Sequence, residues 1–102
     1  MTEQEFRESL QERYLKAGNR LEELNNTKFS NHCYWRMAND YAVGAKWDTI
    51  ISSPFYKNAS YEQLEKSVLI LEQMIQQPEL INTFNKGSLY LREQAKWTEH
   101  LK

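Results

Sequence analysis

The chain is poor in the residues that staple or bend a backbone: one cysteine, two prolines and three glycines among 102 residues. One cysteine cannot close an intramolecular disulfide, and no zinc-type ligand spacing surrounds it, so a reducing cytoplasm is the expected setting. So few glycines and prolines leave too few tight turns for a sandwich or barrel, which makes helix the expected element. Long apolar runs are missing too. No stretch approaches the roughly 18 apolar residues of a membrane span, and the opening MTEQEFRESLQ is too polar for a secretory leader. Neither sign of charge dominates: 13 basic against 14 acidic residues give a formal net charge of −1, and no global field to attract nucleic acid or an anionic membrane. Neither GxGxxG nor GxxxxGK occurs, so no phosphate loop is expected.

What the chain does have is apolar periodicity. Thr2 and Glu5 form a capping-box pair, and Phe6, Leu10, Tyr14, Ala17, Leu21 and Leu24 recur at three- and four-residue spacing, predicting a helix over about residues 3–25 that ends at Asn25-Asn26-Thr27. Gly18 weakens that helix by about 1 kcal/mol relative to alanine, which points to close packing by a neighbour. Ser30 or Asn31 can cap a second helix, predicted over about 32–51 and stopped by Ser52-Ser53-Pro54. One of its faces carries Tyr34, Met37, Ala38, Tyr41 and Ala45, the other Cys33, Val43, Trp47, Ile50 and Ile51, so it belongs at the centre of the fold. Phe55 to Asn58 reads as a short aromatic loop. Ser60 and Gln63 are a second capping box, opening a helix over about 61–76 with Leu64, Val68 and Leu71 inward. Pro78 starts a short helix that Gly87 should stop at Phe84, and Ser88 should cap a last, more exposed helix over about 89–100, with Tyr90, Trp97 and Leu101 on one side. The expected fold is an all-α single domain, a bundle of four to five helices around the central one.

Candidate chemistry concentrates between Asn31 and Lys57. His32, Arg36, Asp40, Val43 and Trp47 fall at spacings of four, four, three and four, which on one continuous helix is a single stripe where Arg36 and Asp40 pair directly. Two readings follow. The stripe can be an internal ion pair flanked by core residues, the weightier reading, since semi-buried Arg–carboxylate pairs often fix how helices sit against each other. It can instead be a contact surface, because Arg and Trp dominate interface hot spots. On that second reading the candidate interaction residues are Arg36, Asp40, Trp47, Phe55 and Tyr56.

Other chemistries are weaker. Adjacent helical residues point about 100° apart, so His32 cannot readily take the proton of Cys33. His32 and His100 lack metal-ligand spacing, and no metal or cofactor is expected. Asp40 and Asp48 stand about 12 Å apart along a helix, too far for a glycosidase-type carboxylate pair. Trp35, Phe55 and Tyr56 are candidates for stacking on bases, yet the basic residues around them are scattered, which argues against nucleic acid.

The segment Cys33-Tyr34-x-Arg36-Met37-Ala38-x-Asp40-x-Ala42-Val43-Gly44-Ala45-Lys46-Trp47-Asp48, continuing to Pro54-Phe55-Tyr56-Lys57, resembles the core of a group of small, functionally uncharacterised bacterial proteins, some of them phage or prophage associated. Similar proteins are sometimes labelled acetyltransferases, but this chain lacks the strands and glycine-rich turn that such a fold needs, and no activity carries over. The expected function is a small non-enzymatic interaction module, an adaptor, regulator or inhibitor whose partner is another protein, with a homodimer as a further expectation. The alternatives are a small enzyme with a pocket around Arg36 and Asp40, aided by His32 and Tyr34 or Tyr56, and a weak nucleic-acid binder.

Overall fold

A computed structural model describes residues 2–25 and 29–100, apart from the side chains of residues 25, 99 and 100. Five α-helices account for most of it: α1 (Glu3–Asn25), α2 (Asn31–Val43), α3 (Phe55–Asn58), α4 (Tyr61–Gln76) and α5 (Ile81–His100), with 3-10 turns at Trp47–Thr49 and Pro78–Leu80. The all-α bundle expected from the periodicity is the observed fold. Among the described residues no helix is long and apolar enough to cross a membrane.

The local signals work well for α1 and α4. Thr2 Oγ1 accepts from the Glu5 N–H, and Ser60 and Gln63 close a reciprocal capping box with bonds of 3.1 and 2.9 Å. The inward stripe of α1 buries Leu10, Tyr14, Ala17 and Leu21, while Phe6 and Leu24 stay exposed; α4 buries Leu64, Val68, Ile70, Leu71 and Met74 and leaves Leu69 outside. These two helices pack on each other, and α2 lies against α1, α4 and α5, the central place expected of it.

Two boundaries differ from expectation. The second helix ends at Val43, eight residues early, because Gly44 takes a left-handed conformation (φ +79°) and donates its N–H to the Asp40 carbonyl as a C-cap. Trp47, Ile50 and Ile51 therefore leave the axis of α2, and the stripe from His32 to Trp47 does not exist as a helical face. In the other direction, α5 runs straight through Gly87 and Ser88, where a stop and a cap were expected. Helix continues there because Tyr41 of α2 covers Gly87, whose missing side chain leaves room for the phenol ring, and because Ser88 turns its hydroxyl to Asp40. Phe55 to Asn58 is a single helical turn, preceded by a cis Ser53–Pro54 bond. The expected stop at Asn26 and Thr27, the position of Leu101 and the side chain of His100 lie outside the described residues.

Glycine lets α2 dock closely on both sides. Residue 18 stands one turn beyond the carbonyl of Tyr14, and residue 87 one turn beyond that of Thr83. A side chain at either place would overlap an α2 aromatic: Trp35 at Gly18, Tyr41 at Gly87. In those notches the Trp35 indole N–H reaches Tyr14 O at 2.9 Å, and the Tyr41 hydroxyl lies 3.4 Å from Thr83 O. The close packing inferred at Gly18 is thus contact with Trp35.

Candidate functional site: an aromatic cleft above a buried carboxylate

Asp40 is fully buried, and its carboxylate is saturated. Oδ1 accepts from the Trp47 backbone N–H at 3.0 Å and from Arg92 Nη2 at 3.3 Å; Oδ2 accepts from Ser88 Oγ at 2.6 Å and from Arg92 Nε at 2.8 Å. Its ion-pair partner is therefore Arg92 of α5, and the expected direct pair with Arg36 is corrected. Arg36 instead donates through Nη1 to Ser88 Oγ and through Nη2 to Asn85 Oδ1, both at 2.7 Å. The Ser88 hydroxyl links the two: it accepts from the guanidinium and donates to the carboxylate. Asn85, Ser88 and Arg92 lie three and four residues apart on α5, one polar stripe facing the Arg36–Asp40 stripe of α2. That stripe is visible in the amino-acid sequence, but only across Gly87, where the helix was expected to stop.

The carboxylate also shapes the chain after α2. By holding the Trp47 N–H, Asp40 folds the segment beyond Gly44 back onto its own helix, so that Trp47 stands beside Asp40 without sharing its helix. The Trp47 ring meets Phe55 edge-on, with centroids 5.5 Å apart. Phe55 is 2% exposed and belongs to the core, so it meets the cleft as part of its wall. Tyr56 is half-buried. Arg7 and Gln11 of α1 fix this turn by donating to the carbonyls of Lys57, Ala59 and Tyr56, groups that a one-turn helix cannot satisfy internally.

These elements enclose a cleft of about 380 Å³, lined by Trp35, Trp47, Phe55 and Tyr56, with Tyr14 and Asn39 also in its wall. Among the described residues, Arg36, Arg92 and His32 are the cationic or basic side chains that line it, and exposed Asp48 is the acidic one. Four of the five expected contact residues thus line one concavity; Asp40 lies beneath it. Tyr14 anchors the aromatic wall, stacked on Trp35 at 5.6 Å and on Phe55 at 5.9 Å, with Tyr56 tilted against it at 5.8 Å. Its hydroxyl sits against the amide of Asn39, whose Oδ1 also accepts from Ser67 Oγ at 2.8 Å, so a buried polar cluster ties α1, α2 and α4 together. Burial pushes the Tyr14 pKa well above the usual tyrosine value, outweighing the lowering effect of the Asn39 hydrogen bond.

The arrangement bears on chemistry. A carboxylate holding two guanidinium N–H groups, a hydroxyl and an amide, and shut off from solvent, has no lone pair free to take a substrate proton. Tyr14 keeps its proton and is a poor nucleophile. Cys33 and His32 sit on adjacent positions of the first turn, and the Cys33 sulfur lies 3.7 Å from Ser30 Oγ. Among the described residues no three His, Cys, Asp or Glu side chains converge where a metal ion could be held. Comparison of the chain with models of protein families, with curated proteins and with solved structures finds no match.

Proposed function

We propose that the protein is a small, non-enzymatic interaction module that seats a segment of another protein in the cleft between α2 and α3, acting as an adaptor, regulator or inhibitor in the cytoplasm. The observation that carries this reading is the cleft itself: Trp35, Trp47 and Tyr56 are only half-buried, with Trp35 and Tyr56 packed on Tyr14, Trp47 on Phe55, and the Trp47 backbone N–H bonded to Asp40. Aromatic side chains already ordered in the free protein lose little entropy on binding, and together with Arg they are the residues that dominate interface hot spots. At about 380 Å³ the cleft lies at the small end of the roughly 300–1,000 Å³ range of ligand sites, a size suited to a few anchor side chains.

The test is selection of peptides from a random twelve-residue display library on the immobilised protein, with a Tyr56→Ser, Trp47→Ser double variant run in parallel. Enrichment of a common motif by the native protein and its loss on the variant, with the variant's helical circular dichroism intact, are the expected results. Equal recovery from both proteins would overturn the reading.

A second reading, a homodimer, is favoured by one observation: Tyr90 and Trp97, seven residues apart on one side of α5, are 63% and 60% exposed. An antiparallel pairing of two α5 helices would set each Tyr90 against the other copy's Trp97. Sedimentation of the native protein against Trp97→Ser, both at micromolar concentration, distinguishes a dimer that dissociates on substitution from a monomer in both.

A further inference from the structure

The charge at the floor of the cleft points to what the bound segment must carry. Two guanidiniums, Arg36 and Arg92, stand over one carboxylate, Asp40, so the cluster has one positive charge in excess. Asp40 is spent on Arg92, Ser88 and Trp47, and Arg36 is left with neutral partners alone, Ser88 and Asn85. Those two bonds use two of the five guanidinium N–H groups and fix the fork; the other three have no acceptor among the described residues. Among the described residues Asp48 is the one acidic side chain in the lining, and it is solvent-exposed, where a neighbouring charge is strongly screened. A half-buried, oriented guanidinium with open donors beside an aromatic wall matches a carboxylate, which can take a planar fork in two parallel bonds.

We propose that the segment bound in the cleft presents a carboxylate side chain next to a large apolar one: the carboxylate on Arg36, the apolar group between Trp35, Trp47 and Tyr56. Resting on the reading of the cleft as a partner's seat, this adds the partner's chemistry, an acidic-aromatic or acidic-aliphatic peptide. Arg36 is the specificity residue and Arg92 its support, held back by Asp40 so that the excess charge falls at one place. Asn85 and Ser88 are positioning residues, which keep the fork pointed along the wall.

The experiment is the same library selection, read for composition and then for affinity. Selected peptides are expected to be enriched in Asp or Glu within two residues of Trp, Phe, Tyr or Leu. For a synthetic copy of the strongest one, changing its acidic residue to the amide should weaken binding about tenfold or more. Arg36→Gln should weaken the parent peptide by a similar factor, and the two changes together should cost little more than either alone, the mark of direct coupling. Raising salt from 50 to 500 mM should weaken the native complex and leave the Arg36→Gln complex nearly unaffected. If Arg36→Gln does not fold, the salt dependence and the amide peptide on the native protein still decide the matter. A motif with no acidic residue, or binding indifferent to salt and to the amide change, overturns the carboxylate anchor while leaving the cleft as an interaction site. Failure to enrich any motif removes the cleft reading itself. Tighter binding of a single-stranded oligothymidine than of any selected peptide would make phosphate the anion and overturn the peptide as partner.

Discussion

The Trp35 indole occupies the space that a side chain at Gly18 would fill, and its N–H bonds to Tyr14 O at 2.9 Å. Two effects of opposite sign therefore meet in Gly18→Ala. Alanine raises helix propensity by about 1 kcal/mol. Against this stand overpacking, typically about 1–3 kcal/mol, and a hydrogen bond worth about 1 kcal/mol net. Displacement wins on these magnitudes, and a loss of roughly 1–3 kcal/mol is expected in urea unfolding. A gain near 1 kcal/mol would mean that the indole is not seated in that notch.

Asp40 and Arg92 call for a different design. Asp40→Asn keeps the shape but strips the charge from a fully buried site where Arg92 is 23% exposed, leaving a guanidinium facing a neutral amide. Removing one partner of a buried pair costs about 3–5 kcal/mol, with the lower end expected here because Arg92 retains some solvent. Asp40→Leu combined with Arg92→Met should be less damaging than Asp40→Leu alone, since Arg92 is then not left facing an apolar side chain. Additive losses in the double variant, measured by chemical denaturation, would show that the two residues do not act as a pair.

How far the sequence reveals this architecture depends on the range of the interaction. The capping box at Ser60 and the apolar periodicities of α1 and α4 are local signals, and both helices lie where those signals put them. The end of α2 was hidden because Trp47, Ile50 and Ile51 continue a plausible helical face, while the event that stops the helix is a left-handed turn at Gly44 that helical spacing does not register. Gly87 misled in the opposite way. As a local signal it is a helix stop, and tertiary packing of Tyr41 over it converts it into a docking notch. The site followed the same division. Arg36 and Asp40 stand out as the formal charges on a helix rich in apolar residues, whereas their partners Ser88, Asn85 and Arg92 sit about fifty residues away, and helical spacing cannot assign such pairs.

The raised pKa of Tyr14 sets a pH dependence. Its hydroxyl loses its proton near pH 10 when unfolded and holds it to higher pH when folded, because burial disfavours the phenolate. With the folded value raised, the contribution is fully present below the unfolded value and is lost as pH rises towards the folded one. The unfolded state then binds fewer protons, so stability should fall above pH 10 by up to about 1.4 kcal/mol per pH unit from this group. Tyr14→Phe should be less stable at pH 7 by about 1–3 kcal/mol, because the Asn39 amide loses its partner, and should show a shallower decline between pH 10 and 11. Parallel alkaline declines for the two proteins would rule Tyr14 out as the source.

Phe55 and Trp47 meet edge-to-face, yet they should respond oppositely in stability and binding. Phe55 is in the core, so Phe55→Ala should cost about 3–5 kcal/mol, and any loss of binding should come with it. Trp47 exposes part of its ring to the cleft, and the backbone N–H that Asp40 holds survives any substitution that keeps the main chain in place. Trp47→Ala should therefore cost less, about 1–3 kcal/mol, the aromatic pair supplying roughly 0.5–1.5 kcal/mol of it. Its larger effect should be on affinity for the peptides selected on the cleft, measured at a temperature where the variant is fully folded. Trp47→Ala with native affinity, or a stability loss as large as that of Phe55→Ala, would move Trp47 from the contact surface into the core, and leave Arg36, Trp35 and Tyr56 to form the contact surface without it.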